Sequence, residues 1–465
     1  MISQVAIEGL RGFAEQQIIR FAQPNGDFGS GLTLIIGPNN SGKSTIVEAL
    51  KLKSSSRASP SFHSGMRNPH TDYVKINFTN SDGSTEFVRS IRPGSSECET
   101  SISTESGAVY TVPSRRYFNP NFGKTSATGR NDFSRTLSSH SALRENNLSY
   151  FESRIFHLEQ NHSNFTELLK RVVPEITDWS LDQIENSSYF VKIRMGSKTH
   201  SISGSGDGIL SVFVIVAALF DSEENDVITI DEPELSLHPA IQKRLAEIIY
   251  EYASDRQIII STHSPYFIEK SAILNGAEII RTWDRGGRVE IFQINSASCA
   301  SLKALLSDNV NNPHMFGLDA KEIFFSSDSV LIFEGQDDVV LWPRVVGRRP
   351  IISNASAYGW GAGGAGNIKN VVSVLKGLGY RRIVGVLDNN RPKDLTNLKL
   401  SFPEYMFVAL PADDIRSKEA TSGRDAVIGL MDEKWKIREE YVEAMDDILT
   451  SMELFLTTEI QNNGG

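Results

Sequence analysis

Hydrophobic residues along the chain follow two spacings, one typical of buried strands and one typical of amphipathic helices. The runs at 32–36 (LTLII), 227–230 (VITI) and 257–261 (QIIIS) are short and mostly apolar, which predicts strands covered on both faces of a parallel sheet. Helical spacing follows the first run directly at 44–52 and recurs at 240–252. Strands that alternate with helices in this way predict an α/β fold.

A second series of strands and helices begins near residue 328 and predicts a smaller α/β domain. The strands SVLIFEG, PIIS and RRIVGVLD are separated by an apolar helix, a glycine-rich loop and the helix NIKNVVSVLKGLG. Within the first series, residues 141–173 place charged and apolar side chains at helical spacing, which predicts a helical insertion. The Asn, Pro and Ser tracts of 295–325 favour a domain boundary. We therefore expect one domain that is interrupted by an insertion: its first part at 1–112, the insertion at 113–185 and its second part at 186–320. Another domain is expected at 321–465.

The composition is typical of a globular chain in a reducing compartment. Hydrophobic residues make up 40% and charged residues 22% of the sequence. Cys98 and Cys299 are too few for a disulfide framework or a four-thiolate zinc site. The N-terminus lacks the pattern of a signal peptide, and the most apolar run, 209–220, is too short to cross a bilayer. We therefore expect a cytoplasmic protein with no membrane partner and a buried helix at 209–220.

The most specific motif is GPNNSGKS at 37–44, which fits G-x-x-x-x-G-K-[ST] between a strand and a helix. Backbone N–H groups of such a loop surround a phosphate, its lysine reaches the β- and γ-phosphates, and its serine binds Mg²⁺. The alternative is a tight strand-to-helix turn without a ligand. We expect ATP and Mg²⁺ as ligands, and the predicted nucleotide-binding residues here are Gly37, Asn39, Asn40, Ser41, Gly42, Lys43, Ser44 and Thr45.

A pair of carboxylates, Asp231 and Glu232, follows the strand VITI. Asp231 is predicted to bind nucleotide through Mg²⁺ together with Ser44, and Glu232 is predicted to orient and polarise the attacking water. An apolar strand that ends in Asp-Glu is, by itself, as often structural as functional. The residues that follow, PELSLHP at 233–239, make the pattern more specific.

These motifs together resemble the ABC-type ATPases of the SMC and RecF kind. The segment DEPELSLHP looks like their Walker B motif and D-loop, and His263 in THSP looks like the switch histidine that senses the γ-phosphate. Taken alone, His263 would more often be a structural residue. Arg11 in GLRGF resembles the basic position that approaches the nucleotide in these proteins.

A divergent signature motif is suggested by SGSGDG at 203–208, directly before the apolar helix. In the family that it resembles, the signature of one subunit closes over nucleotide bound to the other. The resemblance therefore implies that Ser205 and Gly206 bind nucleotide across a homodimer or higher homo-oligomer, with the insertion 113–185 serving dimerisation. By itself the segment is equally compatible with a flexible loop.

Carboxylates after two strands of the second domain predict a metal site. Glu334 ends the strand SVLIF, and Asp388 follows the strand at 383–387. Functional groups gather at the carboxyl ends of strands in open α/β sheets, and oxygen ligands suit Mg²⁺ or Mn²⁺. Such an ion activates water and stabilises the leaving oxygen in phosphodiester cleavage. Glu334 and Asp388 are therefore predicted catalytic metal ligands.

The two acidic strand ends resemble the TOPRIM domain, and EGQDD at 334–338 looks like the E-G-x-x-[DE] form of the OLD (overcoming lysogenization defect) nucleases. The resemblance implies Asp338 as a further catalytic metal ligand beside Glu334. Asn390 departs from the family's D-x-D pattern, because an amide oxygen supplies no charge. Asp413-Asp414 and Lys418 fall where OLD-type nucleases carry a further acidic residue and a lysine, so Lys418 is a candidate catalytic residue. A solvated acidic and basic loop is the alternative.

A glycine-rich segment, GAGGAG at 361–366, also fits the dinucleotide-binding pattern G-x-G-x-x-G and is followed by a helix and the acidic Asp388. An NAD-binding domain is therefore an alternative. It leaves Glu334 and the ATPase motifs unexplained, and the glycine loop resembles the OLD-type segment before the second acidic strand.

The net charge of −10 argues against a protein that coats nucleic acid, but the charges are unevenly distributed. Residues 321–430 hold fourteen Lys and Arg against twelve Asp and Glu, whereas 431–465 form an acidic tail with three against nine. The basic residues expected to contact phosphates near the carboxylates are Arg344, Arg348, Arg349, Arg381, Arg382, Arg391 and Lys393.

An ABC-type P-loop ATPase domain with a helical insertion, followed by a small doubly wound TOPRIM domain, resembles the OLD family over essentially the whole chain. Gabija and retron anti-phage systems contain relatives. The resemblance implies a metal-dependent DNA endonuclease or nickase that acts in anti-phage defence, gated by nucleotide. It also allows a second defence protein, or a reverse transcriptase with RNA–DNA, as a partner. A non-nucleolytic ATPase sensor or DNA-repair clamp, and a toxin that acts on RNA, remain open.

Overall fold

Residue contacts divide the chain into two compact units, Met1–Ile291 and Phe292–Gly465. The division lies before the predicted position, residue 321, because the helix Ser296–Ser307 packs against the second unit's helix Ala365–Gly377. Oγ of Ser298 donates to the carbonyl oxygen of Ser373 at 2.8 Å. A computed structural model describes residues 1–54, 61–102, 108–116, 118, 122–123, 129–133, 151–184, 188–307, 317–326, 328–420 and 425–458.

Both units combine strands with helices, which confirms the predicted α/β class. None of the described helices is both long and apolar enough to cross a membrane. The helices of the first unit are α1 (Lys43–Lys51), α2 (Phe151–Gln160), α3 (His162–Val172), α4 (Asp207–Phe220), α5 (Pro239–Tyr252) and α6 (Lys270–Asn275). The strands from β1 onward are β1 (Ile2–Glu8), β2 (Gln17–Arg20), β3 (Leu32–Ile36), β4 (Lys75–Asn80), β5 (Thr85–Ser90), β6 (Cys98–Thr100), β7 (Val109–Val112), β8 (Phe122–Gly123), β9 (Ile176–Ile184), β10 (Ser188–Met195), β11 (Lys198–Ser201), β12 (Val227–Asp231), β13 (Gln257–Ser261), β14 (Glu278–Asp284) and β15 (Val289–Gln293).

The sheet that positions the nucleotide motifs has the strand order β15-β14-β3-β13-β12-β7. Strands β14, β3, β13, β12 and β7 pair in parallel, and β3, β12 and β13 are buried along their whole length. The register pairs Asp231 with Ser261 and Ser261 with Ile35. The segments that follow β3, β12 and β13 therefore emerge at one edge of the sheet.

The segment 113–185 differs from the predicted helical insertion. Helices α2 and α3 are present, but β9 follows them and pairs antiparallel with β10. Trp179 of β9 is 1% exposed and makes edge-to-face ring contacts with Phe165 of α3 and Phe213 of α4. The segment ITDWSLDQI forms a strand because it pairs with β10. A search for helical spacing does not detect such a pairing. Residues 141–150 of the predicted helix lie outside the described part of the chain, and dimerisation stays a prediction.

Helix α4 confirms the buried helix expected at 209–220. Its residues from Ser211 to Leu219 are buried, and it packs against α3 and α5. This helix places the segment at 203–208 at its N-terminus, where that segment is largely exposed.

The second unit is built on a parallel sheet with the order β17-β16-β18-β19. Its strands are β16 (Ser329–Phe333), β17 (Ser356–Ala357), β18 (Arg382–Leu387) and β19 (Met406–Ala409). Its helices are α7 (Ser296–Ser307), α8 (Leu318–Glu322), α9 (Gln336–Val346), α10 (Pro350–Ser353), α11 (Ala365–Gly377), α12 (Pro392–Ser401) and α13 (Val442–Thr457). The strand order reverses between β16 and β18, and such a switch point opens a crevice at the carboxyl ends of the two strands.

Two predictions for the second unit are corrected by the structure. The segment PIIS is the short helix α10 rather than a strand, since Pro350 occupies the first helical turn, where a missing N–H is not needed. The acidic end of the chain is not only a solvated tail. Helix α13 buries one face in the core, through Met445, Leu449, Met452 and Leu456.

A buried ion pair joins the turn after α1 to β5. The side chains of Lys53 and Glu86 are 4% and 10% exposed. Replacing Lys53 by Met leaves the Glu86 carboxylate buried without its cation, so we expect the free energy of unfolding in urea to fall by about 3–5 kcal/mol. A Lys53→Met/Glu86→Leu double variant should recover most of the loss.

The control for this prediction is Arg89→Met. Arg89 pairs with Glu99, and both side chains are about half exposed, so we expect a loss below about 1 kcal/mol. Equal losses of unfolding free energy in Lys53→Met and Arg89→Met would show that burial does not make the Lys53–Glu86 pair more important for stability.

Candidate nucleotide and cation sites

The loop between β3 and α1 has the backbone shape of a phosphate-binding loop. Gly37 and Gly42 have φ of 145° and 99°, a region that favours glycine. A Cβ at Gly37 would lie 2.3 Å from the carbonyl oxygen of Thr282 in β14, so no side chain fits there. Ser41 is held from the same strand by a 2.5 Å contact between its Oγ and Oγ1 of Thr282. The neighbouring strand therefore fixes the loop.

Lys43 lies folded over this loop. Its Nζ donates to the carbonyl oxygens of Gly37 at 3.0 Å and Pro38 at 2.8 Å. Burial lowers the pKa of Lys43 to about 8, although Glu232 and Asp231 oppose this shift. Within the described part of the chain, the ammonium group therefore finds its hydrogen-bond acceptors on the loop that would surround a phosphate. Of the other predicted residues, Asn39 and Asn40 are exposed on the loop, and Thr45 is buried in α1.

Ser44 and Asp231 are brought together by the sheet. Oγ of Ser44 lies 3.5 Å from Oδ2 of Asp231, and Oδ1 of Asp231 accepts a hydrogen bond from Ser261. Neighbouring ligands of an octahedral ion with bonds of about 2.1 Å are roughly 3 Å apart. The hydroxyl and the carboxylate therefore fit one Mg²⁺ ion.

Glu232 and His263 face each other beside this pair. Glu232 has a left-handed φ of 48°, and its N–H donates to the carbonyl oxygen of Ser261 at 2.9 Å. Nε2 of His263 is 4.0 Å from Oε1 of Glu232 and has no hydrogen-bond partner among the described residues. Burial and Asp231 raise the pKa of Glu232, while burial and then Lys43 lower the pKa of His263 to about 4. His263 is therefore neutral at physiological pH.

Glu234 is a site residue that the sequence reasoning missed. Its Oε1 accepts the N–H of His263 at 2.6 Å, and its Oε2 accepts the hydroxyl of Thr262 at 2.8 Å. Burial raises the pKa of Glu234. Its position two residues after Glu232 was the available signal. The carboxylate fixes the segment that carries His263.

Arg116 is a second missed residue. It is 6% exposed and donates to the backbone of Asp231 and Glu232 and to Ser211. Burial lowers the pKa of Arg116 to about 10, while Asp231 and Glu234 oppose the shift. No sequence signal marked it, since it lies in a stretch without periodicity.

The remaining predicted nucleotide contacts lie on other elements. Arg11 has a left-handed φ of 48°, and its Nη2 pairs with Oε2 of Glu48 in α1 at 2.7 Å. Gly206 has a φ of 84° at the start of α4, and a Cβ there would meet nothing within 4 Å. Oγ of Ser205 donates to the carbonyl oxygen of Ser201. The structure describes the positions of these three residues, and their nucleotide contacts stay predictions.

The second unit has an open cleft of about 440 Å³ at the switch point between β16 and β18. The acids Glu334, Asp338 and Asp388 line it together with Lys418, so the structure brings all four predicted residues to one place. Oε1 of Glu334 accepts the N–H of Asp388 at 2.9 Å, and Oδ2 of Asp338 accepts the N–H of Gly335 at 3.0 Å. Gly363 and Gly364 of the glycine-rich loop form part of the wall.

The carboxylates in this cleft disfavour one another's ionisation. Burial raises the pKa of Asp388 to about 8, and Asp338 and Glu334 add to the shift. Burial also raises the pKa of Asp338 to about 7, and burial raises the pKa of Glu334. As they stand, no three acidic, His or Cys side chains in the described residues surround one metal position. The carboxylate oxygens of the cleft, with their excess negative charge, are the type of ligand that a hard divalent cation prefers.

Asp414 supplies a further carboxylate where Asn390 does not. Nδ2 of Asn390 donates to the carbonyl oxygen of Asp413 at 3.0 Å, and Asn390 is exposed. Asp414, in the loop after β19, is 8% exposed, lines the cleft and pairs with Nζ of Lys418. Asn390 replaces the second acid of the D-x-D pattern, and Asp414, from the loop after β19, adds a carboxylate to the cleft instead.

The predicted basic cluster is divided by the structure. Arg349 pairs with Asp446 and Glu453 of α13, which neutralises it. Arg382 donates to the carbonyl oxygen of Thr458. Arg391 lies beside the cleft, with its Nε 3.7 Å from Oε2 of Glu334.

Residues 32–269 match the family model described as "AAA domain, putative AbiEii toxin, Type IV TA system". An OLD nuclease from Thermus scotoductus is 27% identical over 203 residues, which are 41% of this chain and 37% of that protein. The match thus spans little more than a third of the relative's length.

Solved structures of SMC heads also match at low identity. An SmcHead bound to the C-winged helix domain of ScpA is 16% identical with a TM-score of 0.40, over 64% of this chain and 98% of that one. The Smc head of Pyrococcus furiosus is 16% identical with a TM-score of 0.43, over 65% and 98%. The SMC head domain from Thermotoga maritima is 14% identical with a TM-score of 0.36, over 63% and 99%.

Proposed function

Because the chain belongs to this family of AAA domains and is a P-loop ATPase by fold, we propose that it couples ATP hydrolysis to metal-dependent cleavage of DNA. The observation that carries the nuclease half is the cleft in which Glu334, Asp338, Asp388 and Asp414 meet. The distant identity to an OLD nuclease supports the same half. The proposed biological role, defence against phage, rests on the resemblance to OLD, Gabija and retron proteins.

ATP binding is assigned to the loop between β3 and α1. Backbone N–H groups of residues 39–44 would surround the phosphates, and Lys43 would exchange its two carbonyl acceptors for phosphate oxygens. Ser44 and Asp231 would hold Mg²⁺, which would neutralise charge on the phosphates. Glu232, whose pKa is raised by burial, would accept the proton of the attacking water, and neutral His263 beside it would contact the γ-phosphate.

A second copy of the chain completes the nucleotide site in this proposal. The half-buried Ser205 and the exposed Gly206 stand at the N-terminus of the fourteen-residue helix α4, where backbone N–H groups and the helix dipole favour a phosphate. The exposure of Gly206 leaves this N-terminus accessible to nucleotide bound on another copy. The chain is therefore proposed to act as a homodimer or a higher homo-oligomer.

The cleft of the second unit is proposed to be a TOPRIM nuclease site. Glu334, Asp338 and Asp388 would hold Mg²⁺ or Mn²⁺, with Asp414 as an added carboxylate. The cation, when bound, lowers the pKa of water and stabilises the leaving oxygen of a phosphodiester. Lys418 places a positive charge at the cleft, where it can contact the substrate phosphate. The nucleotide state of the first unit is proposed to gate this site.

Binding of a divalent cation is testable through the stability of an Asp388→Asn variant. The folded-state pKa of Asp388, about 8, exceeds its usual value of 3.8. Its contribution to stability is therefore complete below about pH 4 and is lost as the pH rises through about 8. In EDTA at pH 8.5 we expect Asp388→Asn to raise Tm by a few degrees, since about 1 kcal/mol shifts Tm by roughly 2–4 °C in a unit of this size.

Addition of Mn²⁺ should reverse the order of the two proteins. The wild type should gain Tm, whereas Asp388→Asn should gain less because it has lost a ligand. The matched control is Asp447→Asn on the exposed face of α13, which should behave as wild type in both conditions. A wild type whose Tm is indifferent to Mn²⁺ and Mg²⁺ would favour a binding scaffold without metal chemistry.

A further inference from the structure

The hydrogen bonds of Arg116 converge on the two residues that end β12 and on α4. Its Nη2 donates to the carbonyl oxygens of Asp231 at 2.5 Å and Glu232 at 2.9 Å. Its Nη1 donates to Oγ of Ser211 at 2.7 Å. With 6% of its surface exposed, Arg116 lies behind the nucleotide site rather than on its surface. Its acceptors among the described residues are two main-chain carbonyls and one hydroxyl.

The conformation of Glu232 needs support from its surroundings. A residue with a Cβ adopts a φ of 48° only where neighbouring groups hold it there. The N–H of Glu232 donates to the carbonyl oxygen of Ser261, and the carbonyl oxygen of Glu232 accepts from Nη2 of Arg116 and from the N–H of Leu235. Arg116 therefore supplies the side-chain donor among the main-chain contacts that keep Glu232 in place.

The same guanidinium group reaches the helix that follows the predicted signature segment. Ser211 lies one turn into α4, whose N-terminus carries Ser205 and Gly206. A planar guanidinium can donate to acceptors on two elements at once, whereas an ammonium group is a single point of charge. A displacement of α4 would therefore act through Arg116 on the backbone of Glu232.

We propose that Arg116 is a positioning residue for ATP hydrolysis, which holds Glu232 towards the attacking water and links its position to α4. The inference rests on the proposed hydrolytic role of Glu232 and deepens it by assigning the group that holds this carboxylate in place. Arg116 acts through the protein backbone and not by contact with nucleotide. Its loss should therefore change turnover much more than ATP binding.

The test compares kcat for phosphate release with the Kd for ATP in Mg²⁺, measured by calorimetry on the full chain. For Arg116→Ala we expect kcat to fall about 100-fold, since a displacement of about 1 Å in a catalytic group has an effect of that order. The Kd should stay within about threefold of wild type. Arg116→Lys keeps the charge and part of the hydrogen bonding, so its kcat should lie between the two. The adjacent and exposed Arg115 provides the matched control, and Arg115→Ala should leave both constants unchanged.

Ser211→Ala keeps the inference testable if Arg116→Ala fails to fold. It removes the acceptor on α4 alone, and we expect kcat to fall about threefold to tenfold at an unchanged Kd. Folded Arg116→Lys and Ser211→Ala proteins with kcat within twofold of wild type would overturn the inference. A weakening of ATP binding large enough to account for the loss of turnover would overturn it as well.

Glu232→Gln distinguishes failure of the Arg116 inference from failure of the proposed hydrolytic role of Glu232. If Glu232→Gln is inactive while the Arg116 variants are fully active, the inference alone fails; if Glu232→Gln is fully active, the hydrolytic role of Glu232 fails as well.

Discussion

A Glu232→Gln variant is expected to bind ATP as the wild type does and to hydrolyse it about 10²–10⁴-fold more slowly. Glu232 stands at the end of β12 beside Asp231, and burial raises its pKa, which favours acceptance of a proton. Glutamine keeps the size and the hydrogen-bonding capacity of the side chain but cannot accept that proton. Phosphate release at saturating ATP and Mg²⁺ measures the effect, and calorimetry measures ATP binding.

The matched control for this prediction is Glu224→Gln. Glu224 is an exposed residue shortly before β12, so its replacement should leave turnover unchanged. A Glu232→Gln protein that keeps more than about a tenth of the wild-type turnover would remove Glu232 from the role of general base.

The second large effect is expected from Glu334→Gln, which should lower Mn²⁺-dependent cleavage of DNA by at least about 100-fold. Even groups that only orient metal ligands change activity by about 10–100-fold when replaced, and Glu334 is proposed to be a ligand itself. It ends β16 at the switch point, is 8% exposed, and lies next to Asp388 through a 2.9 Å hydrogen bond. Nicking and linearisation of a supercoiled plasmid, with a matched RNA as a second substrate, measure the effect.

Glu443→Gln on the exposed part of α13 is the control for this experiment, and it should cleave as the wild type does. ATP turnover by Glu334→Gln should also be retained, because the first unit is unchanged. Equal cleavage by Glu334→Gln and the wild type would place any nuclease activity outside the cleft. Preferential cleavage of the RNA would instead support the toxin alternative.

Local patterns were sufficient to predict the positions of candidate residues that lie at the start or end of a single element. The loop at 37–44 lies between β3 and α1 as predicted, and Glu334 and Asp388 stand at the ends of β16 and β18. Parallel strands end at one edge of a sheet, so acids after neighbouring strands meet even when they are far apart in sequence. The meeting of Glu334 and Asp388 follows from this regularity, whereas the places of Asp338 and Lys418 in the same cleft were implied by the resemblance to OLD nucleases.

Residues that act through distant contacts could not be predicted in the same way. Arg116 reaches the end of β12 across more than a hundred residues of sequence, and its surroundings show no periodicity. Asp414 enters the cleft from the loop after β19; the resemblance to OLD nucleases implied an acid at Asp413-Asp414, but the residues alone equally fit a solvated loop. The helix α10 was misassigned as a strand because a four-residue apolar run has no helical or strand period of its own.

The most direct test of nucleotide-gated cleavage is the rate at which the full chain cleaves supercoiled DNA in Mn²⁺ under three conditions. These are no nucleotide, ATP, and an ATP analogue that is not hydrolysed. The account predicts that the wild-type rate changes by about tenfold or more among the three, a typical size for coupling between two sites. A Lys43→Ala variant should cleave at one rate throughout. Wild-type rates that are equal in all three conditions, or no cleavage in any of them, would contradict the account.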